Sequence, residues 1–256
     1  MNKELKGYKK YIYILLGIIG ILLIWEISSQ IVANFNVFPT IGMTLNELFI
    51  LLGDNNIYIS LLSSLGLTLL SLLISFIMAF ILGILSGLYE RLYLILKPIV
   101  AIFKTLPTAC FVFILVIFFK SSISIIIVTF LLIFPIMYES ITKGFIQIDE
   151  RMLLSLDIDG GRKSKNALFK VLIPQSVPYI MLGFVNSIGL GLKVEIMAEI
   201  LIGNNSINGI GKILWIFAQV EFDYVKVFAV SVLILIIFAI IDLIFLFIKH
   251  KIEKTL

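Results

Sequence analysis

Three charged side chains stand inside one apolar stretch: Lys193, Glu195 and Glu199. A charge at the membrane centre costs on the order of 2.5–3.5 kcal/mol even on lenient insertion scales, so each must face water or a polar partner. On a helix Glu195 and Glu199, four apart, share a face. Lys193 lies about 200° from Glu195 at about 100° per residue and does not pair with it on the same helix. Two readings are open: the acids line a pathway or gate, or they sit near the outer interface while Lys193 ties to a neighbouring span. Other chemistry finds no support. The Gly-Lys pair Gly211-Lys212 is followed by Ile213 and has no glycine five residues earlier, so the phosphate-cradling loop is missing and no nucleotide site is expected in this chain. His250 is the lone histidine, in a basic tail, and Cys110 is the lone cysteine, so neither a metal site nor a disulfide is expected. Nor is there a nucleophile with a base in reach, which argues against an enzyme.

A second concentration of charge, residues 143–170, holds ten charged side chains and must lie in water. Asp149 is placed to cap a short helix whose apolar edge is Met152, Leu153 and Leu156. Gly160-Gly161 breaks it, a second short helix over 162–172 presents Ala167, Leu168 and Val171, and Pro174 is expected to end that helix. Two short amphipathic helices meeting at a glycine turn fit a partner's groove, or lie on the membrane surface.

The elements that must carry these groups follow from composition. Of 256 residues, 61% are hydrophobic and 14% charged, with a mean hydropathy of +1.14; soluble domains run at about 45–50% and about 25%. The chain is therefore expected to be an all-α membrane protein with six transmembrane helices. The spans are 11–33 (interrupted by Glu26), 60–88, a third following the Lys97-Pro98 elbow and ending at 119, 123–141, 178–202 and 224–248. Residues 1–35 form an uncleaved anchor, 36–59 an external linker with a short amphipathic helix over 41–52 closed by a turn at 53–56, and 60–250 the main membrane domain with the cytoplasmic loop 143–174. Small residues recur every four positions at Ser71, Ser75, Ala79, Gly83 and Gly87, and again at Gly183, Ser187 and Gly191. Such rows let helices approach closely. Net charge is +4, but the basic residues flank apolar runs as at cytoplasmic membrane faces, so nucleic acid is not an expected partner.

A glycine thirteen residues before an Ile-Pro pair in the largest loop, here Gly161 and Ile173-Pro174, resembles the cytoplasmic loop motif of bacterial ABC importer permeases. More of the chain resembles the nitrate, sulfonate, taurine and thiamine-precursor group of binding-protein-dependent inner membrane components. The further residues that carry this are Lys97-Pro98, Leu106-Pro107, Phe134-Pro135, Lys193 with Ala198-Glu199, Gly209-Ile210-Gly211 and Asp242. The family motif opens with Glu-Ala-Ala where this chain has Ser155-Leu156-Asp157, so the first carboxylate is missing. The resemblance implies a permease of a bacterial cell membrane that forms a homodimer, receives a small solute from an external binding protein, and is driven by a cytoplasmic ABC ATPase dimer. It implies ATPase coupling through Asp157, Gly160, Gly161, Arg162, Ser164, Ala167 and Pro174, and pathway or gate roles for Lys193, Glu195 and Glu199. The alternative is a proton-coupled secondary transporter without an ATPase, using Glu195, Glu199 or Asp242.

Orientation follows from charge. The N-terminus, the 90–104 elbow, the 143–170 loop and the tail carry 16 of the 20 lysines and arginines, against Lys120, Lys212 and Lys226 on the other side, which places both termini in the cytoplasm. In a variant lacking Cys110, cysteines at positions 55 and 205 are expected to react with an impermeant thiol reagent from outside, and one at position 163 is not. Protection at 55 with labelling at 163 inverts the topology.

Overall fold

The computed structural model describes residues 7–105, 107–158, 161 and 163–253; Lys3, Lys6, Leu106, Asp159, Gly160, Arg162 and Lys254 lie outside the described residues. Among these every regular element is helical: α1 (Gly7–Val32), α2 (Ile41–Leu51), α3 (Asn55–Leu88), α4 (Glu90–Thr105), α5 (Thr108–Phe118), α6 (Ser121–Ile146), α7 (Glu150–Ile158), α8 (Lys165–Ala167), α9 (Ile173–Ile202), α10 (Ile210–Gln219) and α11 (Tyr224–Glu253). A π turn, Leu168–Leu172, joins α8 to α9, and a 3-10 turn, Gly203–Asn205, follows α9. Five helical stretches are long and apolar enough to cross a membrane, and α4 with α5, bent by 97°, makes the sixth if the pair crosses as one broken span. The protein is a multi-pass, all-α membrane protein.

Three local expectations are corrected. The elbow expected at Lys97-Pro98 is not there, because Pro98 is carried inside α4. The break falls at Pro107 instead, extended at φ −65 and ψ 115; proline has no N–H to donate and pushes the preceding residue away from helical geometry. The second span starts at Asn55 rather than 60, because Asp54 Oδ1 accepts the Asn56 N–H at 2.9 Å and turns the expected loop into a helix start. Nor does Pro174 end a helix. The chain winds continuously from α8 through the π turn into α9, with the Ile173 N–H donating to the Leu168 carbonyl. A wider turn just before the proline accommodates a ring that would clash in a tight one.

The chain divides into two compact units, residues 1–57 with 214–236, and residues 58–213 with 237–256. In the first, the indole of Trp25 donates to the Pro39 carbonyl at 3.0 Å and Ser29 Oγ to the Phe38 carbonyl at 2.8 Å. Phe228 meets Trp25 and Phe38 at ring distances of 5.6 and 5.2 Å. Glu26, the charge interrupting the first span, accepts the N–H of Ile41, the first residue of α2, at 3.1 Å. Thr40 caps the same helix end through the Met43 N–H.

The second unit is built on close helix contacts. Along α3 the row Ser71, Ser75, Ala79 and Gly83 is buried. At Gly83 a Cβ would lie 2.8 Å from Ile141 Cγ2, and at Gly87 it would fall into the Phe145 side chain. Across α6 and α9, a Cβ at Gly183 would lie 2.6 Å from Ser140 Cβ, and one at Gly144 2.9 Å from Tyr179 Cβ. The surrounding core includes Leu72, Ile133, Met137, Tyr138, Ile141 and Leu192. Without a hydrophobic drive between helices inside lipid, this contact area supplies the association. Gly83→Ala is therefore expected to lower the thermal unfolding temperature, and Ile141→Ala to do so by leaving a cavity. The two together should be less damaging than the sum, by about 0.5 kcal/mol or more; additive losses would mean that the two sites do not touch.

Candidate functional site

Glu195 and Glu199 are completely buried, on the face of α9 opposite the exposed Lys193. Glu199 is saturated with donors. Ser64 Oγ, from α3, lies 2.8 and 3.0 Å from its two carboxylate oxygens, and the Gly211 N–H donates to Oε2 at 2.7 Å. Ser64 Oγ in turn accepts the N–H of Ile210 at 3.0 Å. Ile210 and Gly211 are the first two residues of α10, so the carboxylate and its serine take up two N–H groups that a helix start leaves unpaired, at the end where the helix dipole favours an anion.

The glycines that flank Ile210 make this approach possible. A Cβ at Gly209 would fall within the Glu199 carboxylate, and one at Gly211 would lie 2.6 Å from both Glu199 Cβ and the Ile196 carbonyl. Ile210, fully buried between them, anchors the turn. The preceding loop is also held: Ser121 Oγ donates to the Asn205 carbonyl at 2.5 Å, and Lys212 Nζ reaches the Ser206 carbonyl and Asn208 Oδ1, each at 3.2 Å.

Glu195, one turn earlier, is held on one side only. Its Oε2 lies 2.9 Å from Thr68 Oγ1, which is also 3.0 Å from the Ser64 carbonyl, while Oε1 is buried without a partner among the described residues. Gly191, a further turn back, faces Thr68, Ile133 and Thr129 at ordinary contact distance. Ser187 Oγ lies 3.5 Å from the Ile133 carbonyl. The sequence reading singled out the carboxylates and missed their partners Ser64 and Thr68. Their signal was present, since Ser60, Ser64 and Thr68 recur every four residues toward the N-terminus of α3, three residues short of the row that begins at Ser71.

The second group of named residues forms a knob. Asp149 Oδ1 accepts the Arg151 N–H at 2.8 Å and caps α7. At the other end Gly161 has φ +93, and its N–H donates to the Leu156 carbonyl at 2.9 Å; this left-handed backbone is one that glycine adopts freely. Ser164 Oγ accepts the Ala167 N–H at 3.1 Å and starts α8, and Ala167 is buried beneath it. Lys163 Nζ sits 4.2 Å over the Tyr89 ring, a contact the sequence did not announce. Outward, Leu154, Ile158 and Phe169 are 59%, 86% and 66% exposed. Asp157 is an exposed member of α7, and Pro174 is the second residue of α9.

Comparison with known proteins places this arrangement. The family model for the binding-protein-dependent transport system inner membrane component matches residues 79–254. Among solved structures, the methionine ABC transporter MetNI in an inward-facing conformation aligns at a TM-score of 0.63 and 17% identity, covering 73% of this chain and 92% of that one. An amino acid ABC transporter with histidines aligns at 0.63 and 17%, covering 78% and 94%. No curated protein sequence matches the chain.

The geometry separates the two acids. A glutamine at position 199 keeps one carbonyl acceptor and offers an amide where a second donor already points, leaving a buried donor unsatisfied at about 1–3 kcal/mol. Glu199→Gln is expected to lower thermal stability and reduce transport at least several-fold in an assembled complex. Glu195→Gln, which can turn its amide toward the unpartnered side, should be milder in both assays. Equal behaviour of the two variants would remove the helix cap from the account.

Proposed function

This chain belongs to the binding-protein-dependent transport system inner membrane component family, and from that premise we propose how an ABC importer permease of this kind divides its labour. Two copies form the translocation pathway. A solute-binding protein delivers substrate on the outer face, and a cytoplasmic ATPase dimer supplies ATP and magnesium chemistry that this chain does not. Both termini and the knob lie on the cytoplasmic side, as the lysine and arginine distribution favours. The substrate is a small sulfonate, nitrate or pyrimidine-like solute on the strength of the loop and span motifs; a fold likeness at 17% identity carries no substrate.

The observation that supports coupling is the outward apolar face of the knob. Leu154 and Ile158 on α7 and Phe169 in the π turn are exposed together beside a turn held by a left-handed glycine. An amphipathic helix with an uncovered apolar edge fits a hydrophobic groove. Closure of the ATPase dimer would push this knob, and the unbroken run from α8 into α9 would carry the displacement toward Glu195 and Glu199. Lys193, exposed on the other face of α9, is then placed to face the pathway or the second copy.

Among the described residues nothing lies within 4 Å of a Cβ built at Gly161, and at φ +93 a substitution there is strained by its backbone. A β-branched residue at that φ costs about 1–2 kcal/mol or more. Gly161→Val is expected to leave a monodisperse membrane protein that no longer retains its ATPase on purification and no longer transports, with Gly161→Ala intermediate. Full retention and normal transport by Gly161→Val would remove the knob from the mechanism.

A further inference from the structure

Between α4 and α6 the second unit opens a cavity of about 260 Å³, lined by Tyr93, Lys97, Tyr138, Glu139, Thr142 and Lys143 among others. A water occupies about 30 Å³ of liquid, so the space admits a tetrahedral oxyanion with solvent to spare. Most of its polar groups are already engaged. Tyr138 donates to Ser86 Oγ at 2.9 Å, and Thr142 Oγ1 lies 3.4 Å from the Gly83 carbonyl. Glu139 is neutralised by Lys104, whose Nζ reaches its two oxygens at 2.9 and 3.0 Å.

Two ammonium groups are left over. Lys97 lies 5.9 Å over the Tyr93 ring, and neither it nor Lys143 meets a carboxylate among the described residues. Lys143 stands in the last turn of α6 and opens the charged segment 143–170, so the cavity opens where the chain leaves the membrane. Ile146, which lines the cavity, is itself exposed, so the basic mouth meets an apolar side chain at the membrane face. A surplus of positive charge beside an exposed apolar side chain at the end of a span matches an amphiphile with an anionic head. Basic pockets between spans on the cytoplasmic side are suited to such headgroups.

We propose that this cavity binds a phosphate oxyanion between Lys97 and Lys143, supplied by the headgroup of an anionic phospholipid. The site belongs to the permease itself and needs neither the ATPase nor substrate.

The test is lipid retention by the purified full-length chain in native mass spectrometry, with phosphatidylglycerol and phosphatidylcholine offered equally. Wild type should retain phosphatidylglycerol about tenfold over phosphatidylcholine, since each nearby lysine contributes on the order of 1 kcal/mol. Lys97→Gln with Lys143→Gln should erase the preference, Lys97→Arg with Lys143→Arg should restore it, and Glu139→Gln should raise it by freeing Lys104. Lys165→Gln with Lys170→Gln, on the same side but outside the cavity, should leave it unchanged. Equal loss in the two glutamine pairs, or no preference in wild type, overturns the site. If millimolar inorganic phosphate stabilises wild type but not the Lys97/Lys143 glutamine pair, and phosphatidylglycerol is not preferred, the oxyanion is a free solute and the lipid assignment fails. Retention is read without transport, so failure here leaves the permease reading intact.

Discussion

A carboxylate inside a bundle of apolar helices has to find hydrogen-bond donors, and the backbone of a membrane helix has none to spare except at its start. That constraint organises the polar structure of this protein. Glu199 is completely buried, and its oxygens are met by Ser64 and by the first turn of α10. Glu26 on α1 does the same for α2 through the Ile41 N–H. In each case a long helix lends a carboxylate to a short apolar one. Both short helices, of 11 and 10 residues, are about 15 Å long and cannot span a bilayer. Their unpaired N–H groups would be costly in a dry setting, as would the carboxylates, and each satisfies the other.

The close approach of backbones is the second half of the same arrangement. Glu199 can reach α10 only because Gly209 and Gly211 present no side chain, and Ser64 can reach Glu199 only because α3 and α9 carry small residues where they face. Lower in the bundle the small-residue rows of α3 and α9 both meet α6, around Ile141, Phe145 and Ser140. Helices packed this tightly move as rigid pieces rather than deforming. The run from α8 through the π turn into α9 is one such piece, continuous from the knob to the Glu199 cap.

Much of this was legible in the amino-acid order. The long apolar runs fixed the number of spanning elements to within the broken pair, because length and hydropathy alone decide what can cross a bilayer. The glycine turn at Gly161 and the cap at Asp149 could be read because each acts on backbone within a few residues of itself. The carboxylates Glu195 and Glu199 stood out because charge inside an apolar run has no neutral explanation.

Tertiary structure decided what those groups touch. Ser64 lies 135 residues from Glu199 and Lys104 lies 35 from Glu139, and no local pattern specifies which of many serines or lysines will arrive. It also decided where prolines act: Pro98 is absorbed within α4, Pro107 breaks the chain, and Pro174 is carried through by a π turn. Local sequence sets the backbone's options, since steric and hydrogen-bond preferences act over a few residues; the partner of a buried polar group is chosen only when helices distant in sequence pack and exclude every other donor.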